Sequence, residues 1–323
     1  VRVGDEPVTT TSPSTSPNRR HGSNEALVVV VGSINLDMVV PVPHHPRPGE
    51  TVLGRDHWSN PGGKGANQAV AAARLGRRVA MVGRVGEDDA GRQLRAALAT
   101  EGVDVSHVTV TNDAPTGVAM ISVDPEGENA IIVSPGANAR LSAGDVDAAG
   151  RLLDEADAVL LQLEIPLDAV QETLQRAGGR TVLNPAPARR LPDDVLALVD
   201  VLVPNRGELG ALLEAPEPAA VAEVSELAGR LRGPRVTVVT LGAEGALLIE
   251  GGRAIHVPGM EVEVVDTTAA GDCFCAALAD ALVRGGSAED AVGWAVAAGA
   301  LATTRPGAQG AMPSAREVHA LLG

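Results

Sequence analysis

Four successive valines, Val28 to Val31, stand between Leu27 and Gly32 with no polar residue among them. A strand with one wet face alternates apolar and polar positions, so this unbroken run predicts a strand covered on both sides. Similar runs recur at 158–163, 181–183, 201–203 and 236–241, separated by sequence of helical character, and read as central parallel strands. Helices are predicted at 64–75, an Ala-rich stretch stopped by Gly76, and at 88–100, where Asp88 and Asp89 suit a helix N-terminus. Leu152–Ala156 ends a third helix, and the capping-box pattern Ser314-Ala-Arg-Glu317 opens the last one. The alternation predicts an α/β fold, an open sheet with helices on both faces.

Two stretches break the rhythm. Met38–His57 holds strand-like pieces interrupted by Pro41, Pro43, Pro46 and Pro48, and Gly117–Val133 reads as a hairpin about the turn DPEGEN. Together they predict a small β-sheet lid, with segments at about 38–57 and 117–133. Residues 1–25 are rich in Ser, Thr, Pro and Asn and are expected to be a disordered tail, leaving 26–323 as the folded domain.

Charge and composition narrow the partners. A formal net charge of −15 repels nucleic-acid phosphates and acidic membranes. A small-molecule substrate is expected, with no nucleic acid and no membrane as partners. With one Phe, two Trp and no Tyr, neither stacked sugar binding nor base stacking is expected. Cys273 and Cys275 lie two apart in a helical stretch and point to different faces, so they read as small buried hydrophobes in a reducing compartment. No stretch is long enough to span a membrane, and the run Ala26–Val31 after Arg19-Arg20 is too short for an export signal. A cytoplasmic location is expected.

Candidate chemistry centres on Asp272, which closes the run Thr267-Thr268-Ala269-Ala270-Gly271-Asp272 and precedes a small-residue helix. A carboxylate beside the backbone N–H groups of a helix N-terminus offers a base and an anion cradle together. Phosphoryl transfer to a hydroxyl needs both. A second segment, Asn60-Pro61-Gly62-Gly63-Lys64-Gly65-Ala66-Asn67-Gln68, is not a Walker A loop, because Trp58 stands six before Lys64 and Gly65 follows it. Nor is it a dinucleotide fingerprint, since Gln68 replaces the third Gly. It reads as a Gly-Gly turn feeding a helix, with Lys64 and Asn67 on one face, suited to adjacent hydroxyls or to a helix cap.

After the first strand, Asn35 and Asp37 alternate along an extended segment. They either face one ligand or form an Asx turn. Polar or glycine-rich segments then recur after successive strands: Glu164, Asn184–Arg189, Val203–Glu208 and Thr240–Gly245. Ligands of open α/β sheets bind at that end, so the row outlines a crevice.

With these residues in view, the chain resembles the ribokinase family of sugar kinases from about residue 27 onward. GGKGANQA at 62–69 and VDTTAAGD at 265–272 carry the likeness, while QLEIP at 162–166, NPAPAR at 184–189 and TRPGAQ at 304–309 set it apart from fructokinases and adenosine kinase. The resemblance implies a ribokinase-like three-layer α/β/α sheet with a β-sheet lid that also forms a homodimer interface. It implies ATP-dependent phosphorylation of D-ribose at O5, with 2-deoxyribose, another pentose or a nucleoside as the alternative substrate. A non-catalytic sugar-binding regulator is the competing class, disfavoured by the presence of Asp272, Gly271 and Glu208.

Carried over residue by residue, the resemblance assigns the sugar to Asn35, Asp37, Gly63, Lys64, Asn67 and Glu164, and the base to Asp272. The N–H groups of Ala269, Ala270 and Gly271 would form the anion hole. Asn205 and Thr240, Leu241, Gly242, Ala243, Glu244 and Gly245 would meet ATP. Glu208 would organise Mg²⁺ through water, and Asp266, Thr268, Ala302, Arg305 and Gly307 would hold an activating K⁺. Val296 and Ala311 depart from the pattern, standing where some members have a His beside adenine and a Ser near the monovalent ion.

Overall fold

The structure, a computed structural model, describes residues 26–323; the tail expected over 1–25 lies outside them. The valine run forms β1 (Leu27–Val31), in which Val28 to Val31 are fully buried. The chain continues through β2 (Asn35–Pro41), β3 (Trp58–Gly62), α1 (Lys64–Arg74), β4 (Arg78–Gly86), α2 (Asp89–Thr100) and β5 (Val103–Thr111). Next come β6 (Gly117–Val123), β7 (Asn129–Ser134), α3 (Ala143–Ala148), α4 (Gly150–Glu155), β8 (Ala158–Leu161), α5 (Leu167–Arg176) and β9 (Arg180–Leu183). The second half runs α6 (Asp193–Leu196), β10 (Val201–Leu202), α7 (Arg206–Leu212), α8 (Val221–Ala228), β11 (Val236–Thr240), β12 (Ala246–Glu250) and β13 (Arg253–Val257). Three helices close it: α9 (Ala270–Arg284), α10 (Ala288–Ala302) and α11 (Ala315–Leu322).

Nine strands form the main sheet in the order β13-β12-β11-β10-β9-β8-β1-β4-β5. Val28 of β1 lies opposite Val79 of β4 on one side and Ala158 of β8 on the other, both in parallel. β12 and β13 run antiparallel at one edge. Period-two alternation within β1 splits the core: Val28 and Val30 face the layer of α1, α9 and α10, and Val29 and Val31 face that of α3 to α6. Burial of one such side chain favours the fold by about 1.5–3 kcal/mol. From β1 the chain first builds β4 and β5 on one side, and only later β8 to β11 on the other. The sheet therefore has its topological switch between β1 and β8, where a crevice opens beyond the strand ends.

The helix ends follow local chemistry. Asp88 caps α2 by accepting from the Gly91 N–H at 2.8 Å, and Gly76 follows α1 at φ +91°. Ser314 and Glu317 form the reciprocal capping box of α11.

The smaller sheet has the order β3-β2-β6-β7. The hairpin at 117–133 is present as β6 and β7, but residues 42–57 form no strand. The strands lie on either side of that proline-rich stretch, and the first begins at Asn35 rather than Met38. Among the described residues no helix is long and apolar enough to cross a membrane.

Candidate active site

Three segments meet at the switch point: the turn after β1, the start of α1 and the chain beyond β8. Ser33 Oγ donates to Glu164 Oε2 at 2.5 Å across it, and the Lys64 backbone N–H donates to the same oxygen at 3.3 Å. Glu164 thus lies against the positive end of α1. Gly63, the N-cap of α1, sits at φ +90°, and a Cβ there would come within 2.7 Å of the Asn35 backbone nitrogen. A Cβ on Gly62 would fall 2.1 Å from Asp37 Oδ2, so this glycine leaves room for the carboxylate. Asn35 is buried, with its Oδ1 accepting from Asn138 Nδ2 at 2.7 Å. Asn138 also bonds both backbone groups of Ile34, which fixes the exit of the chain from the main sheet into the small one.

Asp272 occupies the first turn of α9 and is 6% exposed. Its Oδ2 accepts from Asn67 Nδ2 at 3.0 Å and its Oδ1 from Gln68 Nε2 at 3.2 Å, so α1 and α9 meet at their N-terminal ends. Burial pushes the Asp272 carboxyl above its ordinary value, opposed by Lys64, Asn67 and Gln68 and reinforced by Glu164. Ala269 caps this helix in the left-handed region at φ +59°, a conformation that costs a non-glycine residue about 1–2 kcal/mol. The Gly271 and Asp272 N–H groups lie in the first turn, ahead of any helical carbonyl that would accept from them. The Ala270 N–H donates to the Thr267 carbonyl at 3.3 Å.

Four carboxylates, Asp37, Glu164, Glu208 and Asp272, therefore act on one lysine. Burial, then Glu164 and Asp272, push Asp37 up to about 7 against the pull of Lys64. Burial lowers Lys64, but Asp272, Glu164 and Glu208 outweigh it and leave the ammonium above its ordinary value. Both cysteine thiols are buried and raised, first by desolvation and then by Asp272, which makes them packing groups.

A second set of residues lies further along the strand ends. Asn205 caps α7 by accepting from the Glu208 N–H at 2.8 Å, and Glu208 Oε2 accepts from the Asn205 N–H at 2.8 Å. Burial raises the Glu208 carboxyl. Asn205 bridges Thr240, the last residue of β11. Leu241 is buried, and the following turn runs through Gly242 at φ +64°, Ala243 and Glu244 to Gly245 at φ +93°. Arg206 pairs with Glu244 at 2.8 Å and ties the start of α7 to this turn.

A third set joins two loops. Asp266 Oδ1 accepts from the Thr268 N–H at 2.9 Å, and Oδ2 accepts from the Gly307 N–H at 2.8 Å. These bonds outweigh burial and hold the Asp266 carboxyl below its ordinary value. Ala302 ends α10, where Thr303 and Thr304 donate to the Ala300 and Leu301 carbonyls, and Arg305 pairs with Glu317. Among the described residues no group of three or more His, Cys, Asp or Glu side chains is arranged to hold a metal. Val296 is buried in α10, and Ala311 in the turn Gln309–Ala311.

Sequence reasoning had given no role to Ser33, Gln68, Asn138, Gln162 or Gln309. Four of them sit inside or beside segments read for other reasons, but only Gln68 adjoins a residue assigned a role, Asn67.

Comparison with known proteins gives the class. The chain matches the profile of the pfkB family carbohydrate kinases over residues 25–315 and belongs to that family of enzymes. Within it the likeness is to ribokinases. The ribokinase of Haemophilus influenzae is 39% identical over 301 residues, 91% of this chain and 98% of that protein. A solved structure of Arabidopsis thaliana ribokinase complexed with ribose and ATP is 34% identical, covers 92% of this chain and 99% of its own, and has a TM-score of 0.85. The deoxyribokinase of Salmonella typhi is 34% identical over 301 residues, 91% of this chain and 98% of that protein. The fold is accordingly the ribokinase-like three-layer α/β/α sheet with a small second sheet.

Proposed function

We propose that the enzyme phosphorylates D-ribose at O5 with ATP, giving D-ribose 5-phosphate and ADP. The observation that carries this reading is the buried Asp272 carboxylate, held by two amides at the N-terminus of α9 beside Lys64. A primary alcohol is a poor nucleophile near neutral pH. Asp272 takes its proton as the O–P bond forms and the bond to ADP breaks, and then releases that proton to solvent. General bases contribute about 10²–10⁴-fold. Asn35, Asp37, Gly63, Lys64, Asn67 and Glu164 hold the sugar hydroxyls, and the N–H groups of Ala269, Ala270 and Gly271 meet the charge on the moving phosphoryl group, that of Ala270 giving up its long bond to the Thr267 carbonyl.

Asn205 and the turn Thr240–Gly245 bind the nucleotide. Glu208 suits a water-bridged Mg²⁺: both of its bonds to neighbouring amides fall on Oε2, which leaves Oε1 uncommitted to them. Bound there, the ion neutralises phosphate charge. The loops joined by Asp266 and the end of α10 at Ala302 suit K⁺, since they set a carboxylate and the negative end of a helix dipole together with Thr268, Arg305 and Gly307. The small sheet closes over the sugar and excludes water, which would otherwise compete for the phosphoryl group. Its exposed Met120, Ile131 and Ile132 pair two copies into a homodimer. The expected setting is the cytoplasm.

A coupled ADP-release assay over pentoses, 2-deoxyribose, hexoses and nucleosides tests the reading. Ribose is expected among the best substrates. A clear preference for 2-deoxyribose, the substrate named by one of the relatives, overturns the assignment of the sugar but not of the reaction.

A further inference from the structure

The amides that touch Asp272 are themselves held from behind. Gln162 Nε2 donates to Gln68 Oε1 at 2.5 Å, and Gln309 Nε2 donates to Asn67 Oδ1 at 3.3 Å. The carboxylate lies at the middle of a five-residue chain, Gln162–Gln68–Asp272–Asn67–Gln309. Gln68 and Gln162 are fully buried, on a helix and beside a strand whose other buried positions are almost all Ala, Val and Leu. Burying an amide is costly unless its bonds are made. Gln162 does not make all of its own: among the described residues its Oε1 has no partner. An orphaned buried acceptor is destabilising, and an aliphatic residue would avoid that cost. Packing alone does not account for it.

An amide side chain has a donor end and an acceptor end of nearly the same shape, so it can face a neighbour either way round. Here the outer glutamine occupies the acceptor end of each inner amide, leaving the donor end for Asp272. We infer that Gln68 is a positioning residue for the base, and that Gln162 fixes which end of Gln68 faces the carboxylate. Two donors, one on each oxygen, hold the carboxyl plane and favour its ionised, proton-accepting form. This rests on the reading of Asp272 as the base.

The other groups acting on Asp272 are Lys64 of α1, Asp37 of β2, Glu164 beyond β8, Glu208 of α7 and the thiols of Cys273 and Cys275 on its own helix. None is altered in the variants below, so a change in Asp272 can be traced to Gln68.

The test is a pH titration of the Asp272 carboxyl by ¹³C NMR in Asp-labelled native enzyme and in Gln68→Met, Gln68→Glu and Gln162→Met, the resonance being assigned by its absence in Asp272→Asn. Loss of the donor moves the titration of Asp272 upward by about one pH unit in Gln68→Met, and further in Gln68→Glu, where two carboxyls share the site. In steady-state kinetics with ribose, kcat falls about 10-fold in Gln68→Met with KM within about 3-fold, and the acid limb of kcat/KM moves in the same order. Gln162→Met gives a smaller shift of the same sign with a modest loss of thermal stability, because it removes one orphaned oxygen but takes the donor from Gln68 Oε1. It also keeps the test open if Gln68→Met fails to fold. An Asp272 titration that stays in place in the folded variants overturns the inference. If it moves while no sugar is phosphorylated by the native enzyme, the proposed function fails and the positioning role stands.

Discussion

Asn67 Nδ2 and Asp272 Oδ2 lie 3.0 Å apart, joining the first turns of two helices whose residues are 205 positions apart in the chain. The bond brings a side chain assigned to the sugar against the one assigned to the proton. The helix N-termini converge on the same point, so positive potential from both faces the carboxylate. Lys64 adds a full charge, and Asp37, Glu164 and Glu208 oppose it. The site is thus prepared for a ligand that brings hydroxyl donors to the carboxylates and an anion to the helix ends.

Asp37 gives the first prediction. Its carboxyl titrates near 7 in the folded chain and near its ordinary 3.8 when unfolded. Between these values the folded state holds a proton that the unfolded state has lost, so this group's contribution to stability falls as pH rises through the window and is lowest above 7. Asp37→Asn removes the ionisation. At pH 8 it is expected to be more stable than the native chain by about 1–2 kcal/mol after allowance for solvent screening, and at pH 4 nearly equal. Thermal melts at the two pH values measure this, and ribose affinity should fall at least about 10-fold. Equal melting temperatures at pH 8 would show that Asp37 is not held under strain by its neighbours.

Glu208 separates a structural from a chemical role. Its Oε2 accepts from the Asn205 N–H in a capping box, and Gln can make the same bond. Glu208→Gln should therefore melt within about 2 °C of the native enzyme while needing about 10-fold more Mg²⁺ for half-maximal activity. A large loss of stability with an unchanged Mg²⁺ requirement would make Glu208 a cap and nothing more.

The apolar positions of the small sheet give a third. Ile132 is 71% exposed and lies opposite Met120 in the β6–β7 ladder. Ile132→Asp should leave the fold of one chain intact and convert a dimer into a monomer in light scattering after gel filtration. A native enzyme that is already monomeric, or a variant that stays dimeric, places the interface elsewhere.

Much of the framework was legible because local rules settle it. The valine run of β1 needs cover on both faces, Asp88 and Ser314 cap helices that begin where their side chains end, and the turn DPEGEN closes the hairpin of β6 and β7. β3 was not legible, because Asn60, Pro61 and Gly62 carry no strand preference and are held in the sheet only by pairing with Asp37 and its neighbours. The same limit applies within the site. Asp272, Lys64 and Asn67 could be named from their motifs. That Gln68 and Gln162 meet, however, is set by the packing of α1 over the end of β8, between residues 94 apart. The left-handed turn at Ala269 had no signal either, since alanine has no preference for it.

The proposed reaction turns on proton removal by Asp272, and the rate of ribose-dependent ADP formation by Asp272→Asn measures it most directly. Asparagine keeps the size of the side chain and cannot accept the proton. The expected result is a fall in kcat of about 10²–10⁴-fold with ribose binding, followed by calorimetry, still measurable. A variant that turns over at a near-native rate would contradict the assignment of the base and the mechanism built on it.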